Sequence, residues 1–211
     1  YDFKINGNKR FDLPTVYLGP EFSNEEILKE LEKHDTITFK KLDNKAKIVS
    51  QLIQDNKIVG LFNGKMEYGP RALGNRTIIY HTRDNSVNDW LNKRLHRTEF
   101  MPFAPVVIEE LANKSFIGWK KDHFCSHFMT VTYDCTEEFK TKHPAVTHVD
   151  GTARPQIITR EENPDYYDIV KQYCEDTGDF ALINTSFNQH EEPILCFPEN
   201  AVDAVLNDSV D

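Results

Sequence analysis

Three cations share one glycine-rich stretch: Lys65, Arg71 and Arg76 in GKMEYGPRALGNR, residues 64–76. Glycine admits positive φ and lets a backbone approach a ligand closely. Pro70 fixes the chain just before Arg71. The planar fork of an arginine matches the oxygens of a phosphate or carboxylate. Such a loop suits a small anion, held by its cations and its backbone amides. It is neither a Walker A loop nor a dinucleotide fingerprint, because GxxxxGK[ST] and GxGxxG are both absent. An ordinary turn that carries arginines is the plainer alternative.

Two further stretches could carry chemistry. PAVTHVDGTARPQ, residues 144–156, centres on an Asp-Gly pair. That pair favours a type I′ hairpin turn, in which His148 merely caps a strand. Alternatively, His148, Asp150 and Arg154 stand at a strand end and face a pocket. NTSFN, residues 184–188, follows an apolar run directly. Its Asn184, Thr185, Ser186 and Asn188 can donate and accept without adding charge, and ligands of open α/β sheets gather at strand ends. An ordinary polar turn is again the alternative. His123 and His127 are four residues apart, but nothing in the sequence completes a metal site around them. No metal ligand is therefore assigned.

The elements that must position these residues follow from periodicity. Ser23 and Glu26 form a capping box that opens a helix through about residue 32. A second helix is expected after Asp43, with Ala46, Ile48, Val49, Leu52 and Ile53 as its apolar stripe. Residues 57–62 read as a strand entering the glycine loop, and residues 77–80 as a strand leaving it. A helix is expected over 84–94, then a strand running from the PFAP turn to Ile108 and into a short helix. Residues 127–133 alternate and read as a strand, and residues 134–144 as a polar surface loop. A strand over 156–159, a helix over 164–176, a strand over 180–184 and a last helix over 198–206 complete the chain. Pro198 takes the favoured first-turn position of that last helix. Interleaved strands and helices predict an α/β domain with a mixed, twisted sheet flanked by helices.

Composition narrows the function. The 211 residues carry 25 basic and 34 acidic side chains, a net charge of −9, which argues against a general nucleic-acid binder. Residues 64–97 hold seven basic residues and three acids, a local +4, so the remainder carries −13. The four cysteines are widely spaced and form no CxxC pair, which fits free thiols and a cytoplasmic protein. No stretch approaches the length of a membrane span. The chain begins at Tyr1 rather than Met, as a fragment would.

In this order and spacing GKMEYGPRALGNR, PFAP, AVTHVDGTARPQ and NTSFNQHEEPI resemble the C-terminal region of the NodU-type O-carbamoyltransferases, over almost the whole chain. The resemblance implies a YrdC-like domain over residues 21–211, with residues 1–20 closing a preceding domain. It implies a domain that makes carbamoyl-adenylate from carbamoyl phosphate and ATP, with magnesium on the nucleotide. A preceding actin-like-fold domain, carrying Fe2+, would then pass the carbamoyl group to an acceptor hydroxyl. Lys65, Arg71 and Arg154 become the expected catalytic cations; Arg76, Arg97, His148, Asp150, Asn184, Thr185, Ser186 and Asn188 become the expected substrate and nucleotide ligands. The expected partners are the two substrates, the actin-like domain and a second copy in a homodimer, with neither nucleic acid nor membrane. Two departures from the family pattern stand out. Glu191 replaces a glycine, and Met101 replaces a basic residue whose part falls to Arg97. Two other functions fit the same loops: a threonylcarbamoyl-adenylate enzyme of tRNA modification, and a nucleotide-binding module without catalysis.

Overall fold

A computed structural model describes residues 15–96, 102–188 and 192–211. Helix α1, Asn24–Leu31, starts at the capping box: Ser23 Oγ accepts from the Glu26 amide at 3.2 Å and Glu26 Oε2 accepts from the Ser23 amide at 2.8 Å. It buries no residue fully. Helix α2, Lys45–Gln54, is capped by Asn44 and buries Val49 and Ile53, with Leu52 left exposed. Strands β1, Val59–Phe62, and β2, Arg76–Tyr80, enter and leave the glycine loop as expected. Helix α3, Val87–Arg94, strand β3, Ala104–Ile108, and helix α4, Glu109–Ser115, come next.

The segment after α4 departs from its sequence pattern. Residues 127–133 do not form the expected strand. Phe124–Phe128 is a 3-10 turn that ends at Met129 in the left-handed region, φ 54°, and extended pairing survives only in β4, Tyr133–Asp134. The alternation there reflects burial within a turn: His127 is buried and bonds Glu162 through Nδ1 at 2.7 Å. The expected loop over 134–144 holds helix α5, Glu137–Lys142, whose cap Thr136 accepts from the Phe139 amide at 3.2 Å. Buried Phe139 anchors that helix to the core, which a mostly polar sequence does not announce.

Strand β5, Thr152–Ala153, pairs with β4, and the Asp-Gly turn before it is closed locally: Gly151 N donates to His148 O at 2.9 Å and His148 N to Thr152 O at 2.7 Å. Strand β6, Gln156–Ile158, helix α6, Pro164–Thr177, strand β7, Leu182–Ser186, and helix α7, Pro198–Leu206, follow. The main sheet runs β1-β2-β7-β3-β6, antiparallel except for the parallel β3–β6 pair. Successive strand residues point to opposite faces, and here both faces are buried. Ile79, Val106, Ile158 and Leu182 pack with Val49 and Ile53 of α2 and with Tyr166, Val170 and Tyr173 of α6. Their neighbours Ile78, Val107, Ile157 and Ile183 pack with Leu91 of α3, Ala112 of α4, Phe139 of α5 and Ala204 of α7. Among the described residues no helix is long and apolar enough to cross a membrane.

Candidate functional site

The glycine loop spans the gap between β1 and β2 and is tied from within. Glu67 is only 2% exposed, and its Oε1 accepts from the amides of Leu73 (2.5 Å), Asn75 (3.2 Å) and Arg76 (3.2 Å). Those amides are therefore committed to an internal carboxylate, whereas the sequence alone offered them to a bound anion. Arg76 is fully buried and stacks 3.8 Å from the centre of the Phe62 ring. Its guanidinium donates to the carbonyls of Asn63, Gly64, Asn75 and Pro20. Burial lowers its pKa, opposed by the charge of Glu67. Gly74 sits at φ +119°, and a Cβ there would overlap the Tyr166 ring, so α6 closes over the loop only because this residue is glycine.

The sheet holds the other side of the loop. Asn184 of β7 donates from Nδ2 to Ala72 O at 3.1 Å and to Gln156 Oε1 at 2.6 Å, and accepts from Thr77 Oγ1 at 3.2 Å. Gln156 of β6 in turn donates to Leu73 O at 2.8 Å, and Tyr17 Oη donates to the same carbonyl at 2.9 Å. Residues 16–20 run beside the loop, with Gly19 N bonding Met66 O, Met66 N bonding Pro20 O and Tyr68 N bonding Val16 O. The stretch expected to close a preceding domain thus includes residues packed on the loop itself.

Held this way, the loop presents Arg71 to a cleft at the carboxyl end of β7 and the amino ends of β3 and β6. A narrow chamber of about 70 Å³ is lined by Arg71, Arg154, Asn184, Thr185, Ser186 and Met129, among others. A wider chamber of about 420 Å³ shares Arg71, Arg154 and Met129 and adds Val16, Tyr68 and Phe128. Among the described residues neither arginine meets a carboxylate, and the buried Nε of Arg154 has no hydrogen-bond partner. Burial lowers the Arg154 pKa, and the like charge of Arg71 lowers it further. Two cations facing each other beside hydroxyls, with no acid between them, are complementary to an anion.

The remaining expected site residues fall elsewhere. His148 and Asp150 flank the cleft without lining it. Asp150 Oδ1 accepts from the Thr152 hydroxyl at 2.8 Å, so that hydroxyl must accept in turn from His148 Nδ1 at 3.0 Å, and Nε2 is left as the acceptor. Burial lowers the His148 pKa; Asp150 opposes this and Arg154 reinforces it. The Asp150 pKa is lowered by its bonds from Thr152. Lys65 is exposed and lines neither chamber. Arg76 is the internal clamp described above. Asn188 accepts from Ser186 Oγ at 2.6 Å and donates to Glu192 O at 2.7 Å, and it lines a separate cavity of about 510 Å³ with Phe187 and Leu195. Arg97, Met101 and Glu191 lie outside the described residues. The sequence reading passed over Glu67, whose bonds reach six to nine residues along the loop, and Gln156 and Tyr17, whose roles appear only through contacts far along the chain. An acid inside a cationic loop was the one signal for Glu67.

Comparison with known proteins identifies the family and the fold. The family described as carbamoyltransferase C-terminus matches residues 50–211. An uncharacterised protein of Methanocaldococcus jannaschii is 38% identical over 95% of this chain and 33% of its own length. Nodulation protein NolO of Bradyrhizobium diazoefficiens is 34% identical over 94% of this chain and 37% of its own length. The chain therefore spans about a third of the length of these curated relatives. The crystal structure of full-length HypF in its phosphate- and nucleotide-bound form superposes with a TM-score of 0.57 at 20% identity, over 83% of this chain and 21% of that one, which establishes a shared fold. The expected α/β class, with a mixed sheet flanked by helices, is thus the observed one. With matching motifs, a family match over most of its length and relatives above 30% identity, the chain belongs to the carbamoyltransferase C-terminus family.

Proposed function

We propose that this chain is the carbamoyl-activating part of an ATP-dependent O-carbamoyltransferase. One observation carries the reading: Arg71 and Arg154 line the same cleft with no carboxylate to neutralise them among the described residues. Carbamoyl phosphate and ATP both bring phosphate charge to such a site. Water releases inorganic phosphate from carbamoyl phosphate and leaves carbamate. A carbamate oxygen then attacks the α-phosphorus of ATP, pyrophosphate departs, and carbamoyl-adenylate remains. Chemistry of this kind needs charge stabilisation and alignment more than a strong base.

In this reading Arg71 and Arg154 bind the phosphate oxygens, and Thr185 and Ser186 orient the reacting groups. Asn184 works indirectly, because its amide is already committed to Ala72 and Gln156. Lys65, exposed on the same loop, draws anionic substrates toward the cleft. Magnesium arrives with the nucleotide phosphates. Transfer to an acceptor hydroxyl belongs to the rest of a longer, cytoplasmic protein: an actin-like domain with Fe2+, in keeping with relatives three times as long as this chain. The test is ATP–pyrophosphate exchange that depends on carbamoyl phosphate. Arg71→Ala and Arg154→Ala are each expected to lower it about 100-fold or more. Exchange unaffected by either change, or none from the folded chain joined to its preceding domain, would overturn the proposal.

A further inference from the structure

The loop that carries Arg71 is wound around a charge of its own. Three amides, from Leu73, Asn75 and Arg76, converge on Glu67 Oε1. That is the arrangement a backbone nest offers to a bound anion, but here the anion belongs to the chain. The opposite ends of the peptide dipoles are served by the opposite charge, since the Arg76 guanidinium takes carbonyls of Asn63, Gly64 and Asn75. The carbonyls of Ala72 and Leu73 go to Asn184, Gln156 and Tyr17. The backbone on the carboxyl side of Arg71 is thus fixed nearly atom by atom, and within residues 71–76 only the Arg71 side chain is exposed.

We infer that Glu67 is a positioning residue for Arg71: its buried carboxylate is the internal template that holds the loop with Arg71 across the cleft from Arg154. A ligand anion is then not needed to shape the loop; it meets a cation already in place. The catalytic consequence rests on the activation reading above, whereas the geometric claim does not. Glu67 Oε2 and the Tyr166 hydroxyl are both buried without a hydrogen-bond partner. The charge of Glu67 acts on that tyrosine. A glutamine amide in place of Oε2 therefore displaces no hydrogen bond, and its oxygen still accepts the three amides.

The test compares the native chain with Glu67→Ala and Glu67→Gln by hydrogen exchange, by calorimetric titration with pyrophosphate, and by kcat and KM of the exchange reaction. In Glu67→Ala the amides of Leu73, Asn75 and Arg76 are expected to exchange about 100-fold faster, with those of Ile183 and Asn184 unchanged. Pyrophosphate affinity and kcat/KM are each expected to fall about 100-fold, the cost of misplacing a catalytic group by an ångström or so. Glu67→Gln is expected to restore all of these to within about tenfold, because its oxygen accepts in the same place. Should Glu67→Ala lose protection in the sheet as well, Glu67→Asp replaces it; this change keeps the charge, draws it back by one methylene and is expected to free the same three amides. The inference is overturned if the loop amides stay protected in Glu67→Ala, or in Glu67→Asp where that variant replaces it, or if glutamine performs no better than alanine. Hydrogen exchange and pyrophosphate binding are read without turnover. A native chain that shows no exchange activity even when joined to its preceding domain therefore sinks the activation reading and leaves the role of Glu67 to be judged on the loop.

Discussion

Buried side chains decide what the exposed ones can do at this site. Arg71 and Arg154 carry the charge, but Asn184 joins the loop to two strands through three hydrogen bonds. Replacing Asn184 with alanine strands Ala72 O and Gln156 Oε1 in a buried setting. The expected loss is about 2 kcal/mol of stability, measurable as a lower urea midpoint at an unchanged slope. A native midpoint would show that solvent or relaxation replaces the bonds. The cationic character of the stretch was legible in the one-dimensional chain, because residue type and spacing carry it. The division of labour among the arginines was not. Arg71 and Arg76 look equivalent in sequence, yet one is exposed at the cleft and the other fully buried over Phe62.

Helices and strands form here for local reasons and survive for packing reasons. The Ser23 capping box and Pro198 at the start of α7 were readable because each acts within a few residues. The turn over 124–128 and helix α5 were misread for the converse reason. His127 answers to Glu162, and Phe139 to Phe116, neither readable in the local pattern. The contact between α6 and the loop gives the sharpest test of packing. Gly74→Ala meets both a disfavoured φ and the Tyr166 ring. Loss of at least about 2 kcal/mol is expected, with the thermal midpoint falling by several degrees. Tolerance of alanine would mean that α6 can move away from the loop without penalty.

At the scale of the whole molecule, stability should depend on pH through one buried imidazole. His143 is fully buried, Phe180 N donates to its Nε2 at 3.1 Å, and its Nδ1 therefore donates to Thr82 Oγ1 at 2.6 Å. Both ring nitrogens are used in the neutral form. Burial lowers its pKa from 6.5 to about 4, with Asp179 and Glu138 opposing and Lys142 and Arg83 reinforcing the shift. Below pH 6.5 the unfolded chain binds a proton that the folded chain refuses, so stability is lost as pH falls from 6.5 toward about 4. The full loss is roughly 3 kcal/mol. Urea midpoints taken across that range should fall for the native chain and fall less steeply for His143→Gln. Equal slopes would assign the dependence to other groups.

The linear sequence determined the α/β class, nearly all the elements of the main sheet, the cationic loop and, through its ordered motifs, the family. All of these rest on interactions within a few residues or on residue identity itself, and neither needs a partner far along the chain. Tertiary structure decided the rest. It separated Arg76 from Arg71, drew Arg154 to the loop, and left His148 and Asp150 beside the cleft rather than in it. It also gave the loop amides to Glu67 instead of to a ligand. The physical reason is burial: a buried polar group must find its partner wherever the fold supplies one, and for the carbonyls of Ala72 and Leu73 the fold supplies it on β6 and β7, more than 80 residues away.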